Sequence, residues 1–408
     1  MSGYRGIWIH PWDLMDLGAL KLCERLAGLG FNAASLAVRY IEERQDTPGP
    51  NLIFQNPRRR AYTSEESAVY WRADPSRYAG LPPPLRPRPS RDVTGDAVKA
   101  FTKACREVGL RSVLWFPVLR WERAVRESPE YGVVDIYGSP VGHKRLFLCP
   151  SCPEVREALR LMVEELVEKY EFDELELDFI RYPEVTASPG SPLLSLALSP
   201  CFCERCRREA ARRGLDLAEV AGELRAIVEW HVGYLGASGY CEECDYVSAL
   251  HGELTRRLLE SEPIRRWLSF RAQLITSLTE ELARAARASR PGIRVSADLY
   301  PPSGSWRLGQ DFAGLSRHLD GVKVMVYVRP FRRSPCRIPF ETRLARELIG
   351  EKTLILGLAS WPPTTPEDIR AQFALAAKSP VNGIAFYCFG WTPEENLRTI
   401  GQLWKEEV

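Results

Sequence analysis

Short hydrophobic, β-rich runs alternate with amphipathic stretches rich in Ala, Leu and Arg along the whole 408-residue chain. This alternation is typical of repeated strand–helix units, in which helices cover a parallel sheet. The pattern predicts strands at 5–9, 33–39, 111–117, 174–180, 293–299, 322–328, 353–359 and 383–388. It predicts helices at 15–29, 92–108, 153–170, 262–289, 311–318, 340–349, 366–378 and 393–404.

Eight strands in strict alternation with eight helices predict an α/β protein with one (β/α)8 barrel, a TIM barrel, over residues 1–408. An open doubly wound sheet is the alternative. Such sheets usually have fewer strands, and no glycine-rich phosphate loop follows the first strand here. Helix caps are expected at Asp96, Ser151 and Thr365, and C-terminal glycines at Gly30, Gly109 and Gly350.

Two connections are much longer than ordinary loops, and both leave the C-terminal end of a strand. Residues 40–91 follow strand 2 and combine a Pro-rich segment with the aromatic residues Tyr62, Tyr70, Trp71 and Tyr78. Residues 182–261 follow strand 4 and contain a cysteine cluster. Because barrel enzymes build their active sites at this end, we expect the first insert to form either a substrate-covering wall or simple padding of the rim.

Strand 4 carries three carboxylates in alternation, Glu174, Glu176 and Asp178. Side chains alternate across a strand, so these three share one face, and the apolar residues between them face the helices. The acidic face therefore points into the barrel, where carboxylates are costly unless they are paired or used. We expect Glu176 to pair with Lys323 on strand 6, and Asp178, at the open end, to be catalytic.

Strand 5 supplies a second carboxylate, Asp298, at its C-terminal end. Glycoside cleavage needs two carboxyl groups, one that attacks or stabilises the sugar centre and one that protonates the leaving oxygen. We assign Asp178 as nucleophile and Asp298 as acid/base. Asp298 is alternatively a ligand of sugar hydroxyls, with the proton supplied by Glu341, Glu394 or Asp13.

Aromatic and polar residues are concentrated at the predicted strand ends. Sugar rings stack their C–H faces on aromatic rings, while sugar hydroxyls need polar partners. We therefore expect a carbohydrate substrate, bound by Trp8, His10, Arg39, Trp115, Arg181, Tyr300, Tyr327, Arg329, Trp361, Tyr387 and Trp391. Some of these Trp side chains are expected simply to fill the top of the barrel.

The bulk composition excludes several other classes of function. Fifty-five basic and 53 acidic residues nearly cancel, so no strong field indicates a nucleic-acid partner. No apolar run approaches the length of a membrane span, and the first residues lack the pattern of a signal peptide. We expect a soluble, cytoplasmic protein with no organic cofactor, and a homo-oligomer is compatible with the sequence. The Arg-rich basic complement fits a GC-rich or heat-adapted source.

The cysteines are spaced as metal ligands. The chain contains Cys149 and Cys152, the run Cys201, Cys203 and Cys206, and the pair Cys241 and Cys244. Four thiolates form a closed tetrahedral zinc site, which is structural because no coordination position stays open. Spacing alone favours the set Cys203, Cys206, Cys241 and Cys244.

The segments LCPSCPEVRE and SPCFCERC resemble the zinc-binding segments of the thermophilic β-galactosidases, whose barrels carry a structural zinc. Carried over, this resemblance implies that Cys149, Cys201, Cys203 and Cys206 are the ligands. Cys152, Cys241 and Cys244 are then spare or form a second site.

The segments CPSCPEVREAL, ELDFIRYP, CFCERC, RWLSFRAQLI and VKVMVY are also similar to those of uncharacterised glycosyl-hydrolase-like barrel families. This resemblance implies that Asp178 is catalytic with Arg181 beside it. The chain departs from the β-galactosidases because strand 4 has no Asn-Glu pair and strand 7 has no carboxylate. A strand-4 Asp nucleophile resembles the barrels that act on α-linked sugars, which favours an α-glycosidase or transglycosylase.

Two other functions compete with glycoside hydrolysis. A Schiff-base aldolase or lyase would use Lys323, since barrel aldolases form an imine on a strand-6 Lys and burial can lower a Lys pKa enough for nucleophilic attack. A catalytically inactive carbohydrate-binding barrel would keep the same aromatic mouth.

Overall fold

A computed structural model of the chain describes residues 3–40, 67–91, 93–141, 146–185, 192–238 and 246–406. Eight parallel strands close into a barrel in the order β1 to β8, and each strand pairs with its neighbours in sequence. The strands are β1 Tyr4–Ile9, β2 Ala33–Ala37, β3 Arg111–Pro117, β4 Glu174–Asp178, β5 Arg294–Leu299, β6 Gly321–Met325, β7 Thr353–Ala359 and β8 Gly383–Tyr387. The predicted (β/α)8 barrel is confirmed.

Helices surround this barrel. They are α1 Pro11–Leu17, α2 Ala19–Gly28, α3 Ala97–Val108, α4 Glu122–Glu127, α5 Pro153–Lys169, α6 Pro192–Ala197, α7 Glu204–Arg212, α8 Leu217–Ser238, α9 Tyr246–Glu260, α10 Glu262–Ser289, α11 Pro302–Ser305, α12 Phe312–Ser316, α13 Arg337–Ile349, α14 Pro366–Ala377 and α15 Glu394–Glu406. Within the described ranges, none of these helices combines the length and hydropathy that a membrane span requires.

Local sequence signals explain most helix boundaries. The Asp96 carboxylate accepts a hydrogen bond from Lys99 N at 2.9 Å and caps α3, and Thr365 forms a capping box with Asp368 at the start of α14. The Ser151 prediction is wrong, because the residue before α5 is Cys152 and the Ser151 hydroxyl faces the cysteine cluster. The single helix predicted at 15–29 is two helices, which meet at Gly18 with a φ of +81°.

The middle of the barrel holds a buried ion pair. The Lys323 ammonium on β6 contacts the Glu176 carboxylate on β4, and both side chains are at most 1% exposed. Glu176 also accepts hydrogen bonds from Trp8 Nε1 and from Ser35 Oγ, the latter at 2.9 Å. The expected pairing of Glu176 with Lys323 is confirmed, and its hydrogen bonds satisfy the polar groups that burial would otherwise leave costly.

The described part of the first long connection packs on the outside of the barrel. Trp71 Nε1 donates to the Glu165 carboxylate of α5 at 2.8 Å, and Tyr78 OH donates to the same group. Asp74 N donates to it at 2.7 Å. Trp71 and Tyr78 therefore anchor this segment to a helix, which favours padding over a substrate-covering wall for this part of the insert. Tyr62 lies outside the described residues.

Candidate active site at the barrel mouth

Asp178 is the last residue of β4, and the backbone turns sharply after it. Phe179 has a φ of +50°, the left-handed region, so β4 ends two residues earlier than the predicted boundary at 180. This turn aims Phe179 N at Asp178 Oδ1 and brings Arg181 back over the carboxylate. A strained residue of this kind next to a buried acid is typical of functional sites.

Three donors hold the Asp178 carboxylate. Arg181 Nη1 donates to Oδ1 at 3.0 Å, Trp115 Nε1 donates to Oδ2 at 3.0 Å, and Phe179 N also contacts Oδ1. The guanidinium of Arg181 lies over the rings of Phe179 and Tyr300, at 4.5 and 4.8 Å from their centroids. These contacts stabilise the ionised carboxylate in one orientation.

Asp298 occupies the matching position on the neighbouring strand. The last paired residues of β4 and β5 are Leu177 and Ala297. Asp178 and Asp298 are the next residues of the two strands and therefore occupy equivalent positions in the register. Asp298 is 1% exposed, and its Oδ1 has no hydrogen-bond partner within the described ranges. Burial, followed by the negative charge of Asp178, raises the pKa of Asp298 well above its usual range. Both effects favour the protonated form of the Asp298 carboxyl group.

The two carboxyl groups thus differ in environment although they are neighbours. Asp178 accepts hydrogen bonds from Arg181 and Trp115, while Asp298 is buried in a setting that favours its protonated form. Two titratable groups in contrasting environments are the arrangement that separates a general acid from a nucleophile. Burial and the charges of both acids also raise the pKa of Tyr327, which places this ring beside them.

Tyr387, at the end of β8, is the centre of the aromatic mouth. Its ring lies within 6.1 Å of rings on β1 and β3 and of rings just after β1, β6, β7 and β8. These neighbours are Trp8, His10, Trp115, Tyr327, Trp361 and Trp391. The structure therefore brings together seven of the eleven residues predicted to bind substrate, and two more, Arg181 and Tyr300, adjoin Asp178.

His10 lies inside this aromatic cluster. Its ring stacks on Trp12 at 4.5 Å and meets Tyr40 edge-on at 4.7 Å. The side chain is fully buried, and neither ring nitrogen has a hydrogen-bond partner among the residues that the structure describes. Burial lowers the His10 pKa to about 3. The imidazole is therefore neutral. Below it, burial raises the pKa of Asp13, whose Oδ2 accepts from His10 N, to about 7.

Arg39 and Arg329 lie away from the two acids. The Arg39 guanidinium donates to the carbonyls of Pro117, Val118 and Arg120 at 2.8 to 3.1 Å, which favours a structural role. Arg329 is 57% exposed and its Nε lies 3.4 Å from the Asp368 carboxylate on α14. Trp8, by its contact with Glu176, belongs to the barrel interior as much as to the mouth.

Two of the three alternative proton donors, Glu341 and Glu394, are also engaged elsewhere. Glu341 is fully buried and accepts from Ser303 Oγ and from Arg337. Glu394 pairs with Arg25 at the start of α15. These contacts favour Asp298 over both residues as the proton donor.

Four cysteine sulfurs converge outside the barrel. The Sγ atoms of Cys149, Cys201, Cys203 and Cys206 all lie within 4.8 Å of one another. The distances from Cys149 Sγ to the other three are 3.5 to 3.7 Å. A tetrahedral site with Zn–S bonds of about 2.3 Å places its sulfurs roughly 3.8 Å apart, so the cluster has the dimensions of a metal site.

The cluster consists of Cys149, Cys201, Cys203 and Cys206. These are the four ligands that the resemblance to the thermophilic β-galactosidases implied. Cys152 is not part of it, since its Sγ donates to the Glu154 carboxylate at 2.9 Å. Cys241 and Cys244, the alternative ligands, lie outside the described residues. Positive charge surrounds the thiols, because Arg271 and Arg205 both interact electrostatically with cysteines of this cluster.

Sequence reasoning missed two residues of the mouth, Trp12 and Tyr40. Trp12 follows β1 in the turn of α1, and Tyr40 follows β2, with its OH 3.1 Å from that of Tyr387. Both are aromatic residues just beyond strand ends, the signal that identified the other members.

No protein-family model matches the chain, and no curated protein matches it. Among solved structures, the glycoside hydrolase domain of PgaB (BpsB) from Bordetella bronchiseptica is similar, with a TM-score of 0.62 and 14% identity over 98% of both chains. The β-galactosidase from the psychrophilic Marinomonas ef1 has a TM-score of 0.60 at 12% identity. That match covers 99% of this chain but only 59% of the β-galactosidase chain.

The catalytic domain of β-amylase from Paenibacillus polymyxa is also similar, with a TM-score of 0.58 and 12% identity over 98% of this chain and 97% of that one. At these identities, the likeness establishes the shared barrel fold alone.

Proposed function

We propose that this chain is a glycoside hydrolase in which Asp178 attacks or stabilises the anomeric centre and Asp298 protonates the leaving oxygen. The observation that carries the proposal is the pair of in-register carboxyl groups at the mouth, one bound by an arginine and one buried with its protonated form favoured. Glycosidic cleavage requires this combination of one ionised and one protonated acid. The named activities of the structurally similar proteins, all glycoside hydrolases, support the same reaction class.

Each carboxyl group has a role that its contacts suit. Arg181 and Trp115 hold the Asp178 carboxylate in one orientation, so its lone pairs face a developing positive centre without reorganisation. Asp298 carries its proton in a water-poor site and can give it to a departing oxygen. The aromatic rings around Tyr387 supply flat apolar faces for a sugar ring.

Strand geometry favours retention of anomeric configuration. Neighbouring strands lie about 4.8 Å apart, and two side chains at paired positions keep nearly that spacing. Retaining enzymes separate their carboxyl groups by about 5–5.5 Å, whereas inverting enzymes need roughly 6.5–9.5 Å to admit a water. We therefore expect the first-formed product to have the configuration of the substrate, which proton NMR of the anomeric signal measures.

The roles of the two acids can be separated with leaving groups of different basicity. The substrates are 4-nitrophenyl, 2,4-dinitrophenyl and alkyl glycosides of common sugars in both anomeric forms. Asp298→Asn is expected to lose about 10²–10⁴-fold in kcat/KM on alkyl glycosides. It keeps most turnover of the dinitrophenyl glycosides, because that leaving group needs no proton. Asp178→Asn is expected to lose activity on all of them.

Asp216→Asn is the matched control, since Asp216 caps α8 by accepting from Ala218 N at 2.7 Å and an Asn can do the same. Full activity of Asp178→Asn on a glycoside that the wild type hydrolyses contradicts the proposal. Equal loss on both leaving-group classes for Asp298→Asn contradicts its role as acid.

Zinc is the metal that we propose for the cysteine cluster. Four buried or half-buried thiolates make a soft, closed donor set with sulfur separations of zinc dimensions, and no position is left for substrate. Bound zinc would tie the segment before α5 to the start of α7. Its role would be structural.

A non-catalytic carbohydrate-binding barrel is the second candidate. Asp178 is only 4% exposed, and both of its oxygens already accept hydrogen bonds. If this reading holds, the wild type binds sugars without turnover, and Asp178→Asn binds them equally well. Isothermal titration calorimetry alongside the turnover assay separates the two functions.

The burial of Lys323 argues against the Schiff-base alternative. Its ammonium is 1% exposed and also donates to Tyr4 OH at 3.1 Å and to Ser35 Oγ at 3.3 Å. A carbonyl substrate would have to displace the Glu176 pair inside the packed barrel. We expect no adduct after borohydride reduction in the presence of carbonyl compounds.

A further inference from the structure

Three arginines lie together on the rim formed by the segments after β5 and β6. The Arg307 side chain packs next to Gly304. A Cβ added to Gly304 would lie 3.0 Å from Arg307 Nη2. Arg337 Nη2 donates to the adjacent Ser303 Oγ at 3.0 Å. Arg333 lies over the ring of Phe331, 5.1 Å from its centroid. We call Arg307, Arg333 and Arg337 the arginine rim.

A short series of contacts joins this rim to the reacting carboxylates. Asp178 pairs with Arg181, and Arg181 lies over the Tyr300 ring. Tyr300 OH donates to the Glu184 carboxylate at 3.3 Å. Glu184 in turn interacts electrostatically with both Arg307 and Arg333. The arginine rim therefore borders the mouth on the side of Asp178 and Asp298.

Within the described ranges, the three arginines of the rim face two carboxylates. Arg337 pairs with Glu341, and Arg333 has no carboxylate within ion-pair distance in that part of the chain. Glu184 interacts electrostatically with Arg307 and Arg333, and Glu341 also does so with Arg333. Burial lowers the pKa of Arg307, and the charges of Arg333 and Arg337 lower it further despite Glu184. A bound anion would offset the electrostatic repulsion between positive charges that are half-buried and close together.

Exposed aromatic rings accompany the arginines. Phe331 is 54% exposed and stacks on Tyr327 at 6.4 Å, and Trp306 is 44% exposed next to Arg307. Tyr327 itself contacts Tyr387 in the mouth. Aromatic residues thus extend from the candidate active site to the arginine rim. This combination of aromatic rings and guanidinium groups suits a saccharide with an acidic group better than a simple inorganic anion.

We infer that the substrate is an anionic saccharide, whose carboxylate, sulfate or phosphate group binds to the arginine rim while the adjacent sugar stacks on Tyr327 and Phe331. The inference rests on the proposed hydrolase function and adds the substrate class to it. Guanidinium groups suit this ligand because their planar donors match the oxygens of all three acidic groups.

Binding is tested with acidic polysaccharides and their uncharged derivatives. The probes are polygalacturonate with its methyl ester, and chondroitin sulfate with desulfated, carboxyl-reduced chondroitin. The proteins are the wild type, Asp178→Asn to prevent turnover, and an Arg307→Gln/Arg333→Gln double variant. Arg284→Gln is the control, because Arg284 is an exposed arginine on the outer helix α10. Dissociation constants are measured by affinity electrophoresis at two salt concentrations.

We expect at least one acidic polymer to bind at least tenfold more tightly than its uncharged derivative, and the double variant to lose that preference. Asp178→Asn and Arg284→Gln should keep it. Any of three results would overturn the inference. The first is equal binding of charged and uncharged polymers, and the second is an equal loss of affinity in Arg284→Gln and the double variant. The third is equally tight binding of single-stranded DNA. Hydrolysis of neutral glycosides that depends on Asp178 but not on the rim would overturn it while leaving the hydrolase function intact.

Discussion

Removing Lys323 should destabilise the protein more than any other single change to the barrel interior. In Lys323→Met, Glu176 stays fully buried with only Ser35 Oγ and Trp8 Nε1 as donors. An ion that loses its buried partner costs about 3–5 kcal/mol. Because a folded protein is stable by only about 5–15 kcal/mol, this loss is a large part of the total.

The reverse substitution is expected to cost less. In Glu176→Gln, the Lys323 ammonium still has the Glu174 carboxylate at 3.9 Å, together with Tyr4 OH and Ser35 Oγ. The neutral amide of Gln can also accept from Ser35. We expect a cost of roughly half that of Lys323→Met, since the remaining charge keeps a partner.

The double variant Glu176→Gln/Lys323→Met provides the decisive comparison. With no charge left in the barrel, its stability should return to within about 1–2 kcal/mol of the wild type, because buried pairs replaced as a unit are often neutral. Urea unfolding followed by tryptophan fluorescence and far-UV circular dichroism gives the free energies. A Lys323→Met variant as stable as the wild type, or a double variant as unstable as Lys323→Met, would refute the reasoning.

Three further predictions concern the periphery of the site. Burial raises the pKa of Asp13 from 3.8 to about 7, so the folded state holds an extra proton between these values. Asp13 should therefore make stability fall as the pH rises from 4 to 7, by up to about 1.4 kcal/mol per pH unit, and Asp13→Asn should remove that contribution to the slope in pH-dependent urea unfolding. Cys203→Ser should lose the bound metal and lower the melting temperature, whereas Cys152→Ser should keep about one metal per chain by elemental analysis. Arg39→Met should cost about 2–4 kcal/mol in urea unfolding, because three backbone carbonyls lose their donors, and a loss under 0.5 kcal/mol would contradict its structural role.

The sequence by itself determined the barrel and the polarity of its interior. Strand alternation has a period of two regardless of tertiary context, so Glu176 had to face inward and find a cation, and Lys323 was within reach on β6. The positions of aromatic residues just beyond strand ends likewise predicted the mouth around Tyr387, since all parallel strands of a barrel end at the same edge.

Only the tertiary structure decided what several of those residues do. Whether Arg39 points into the mouth or towards three carbonyls depends on the loop after β3, which is about 80 residues away in sequence. Spacing alone left the four cysteine ligands open, because Cys149 joins a run about 50 residues later. The arginine rim exists because the segments after β5 and β6 meet at the mouth. Local patterns fix which face a residue takes, but contacts between distant segments fix its partners.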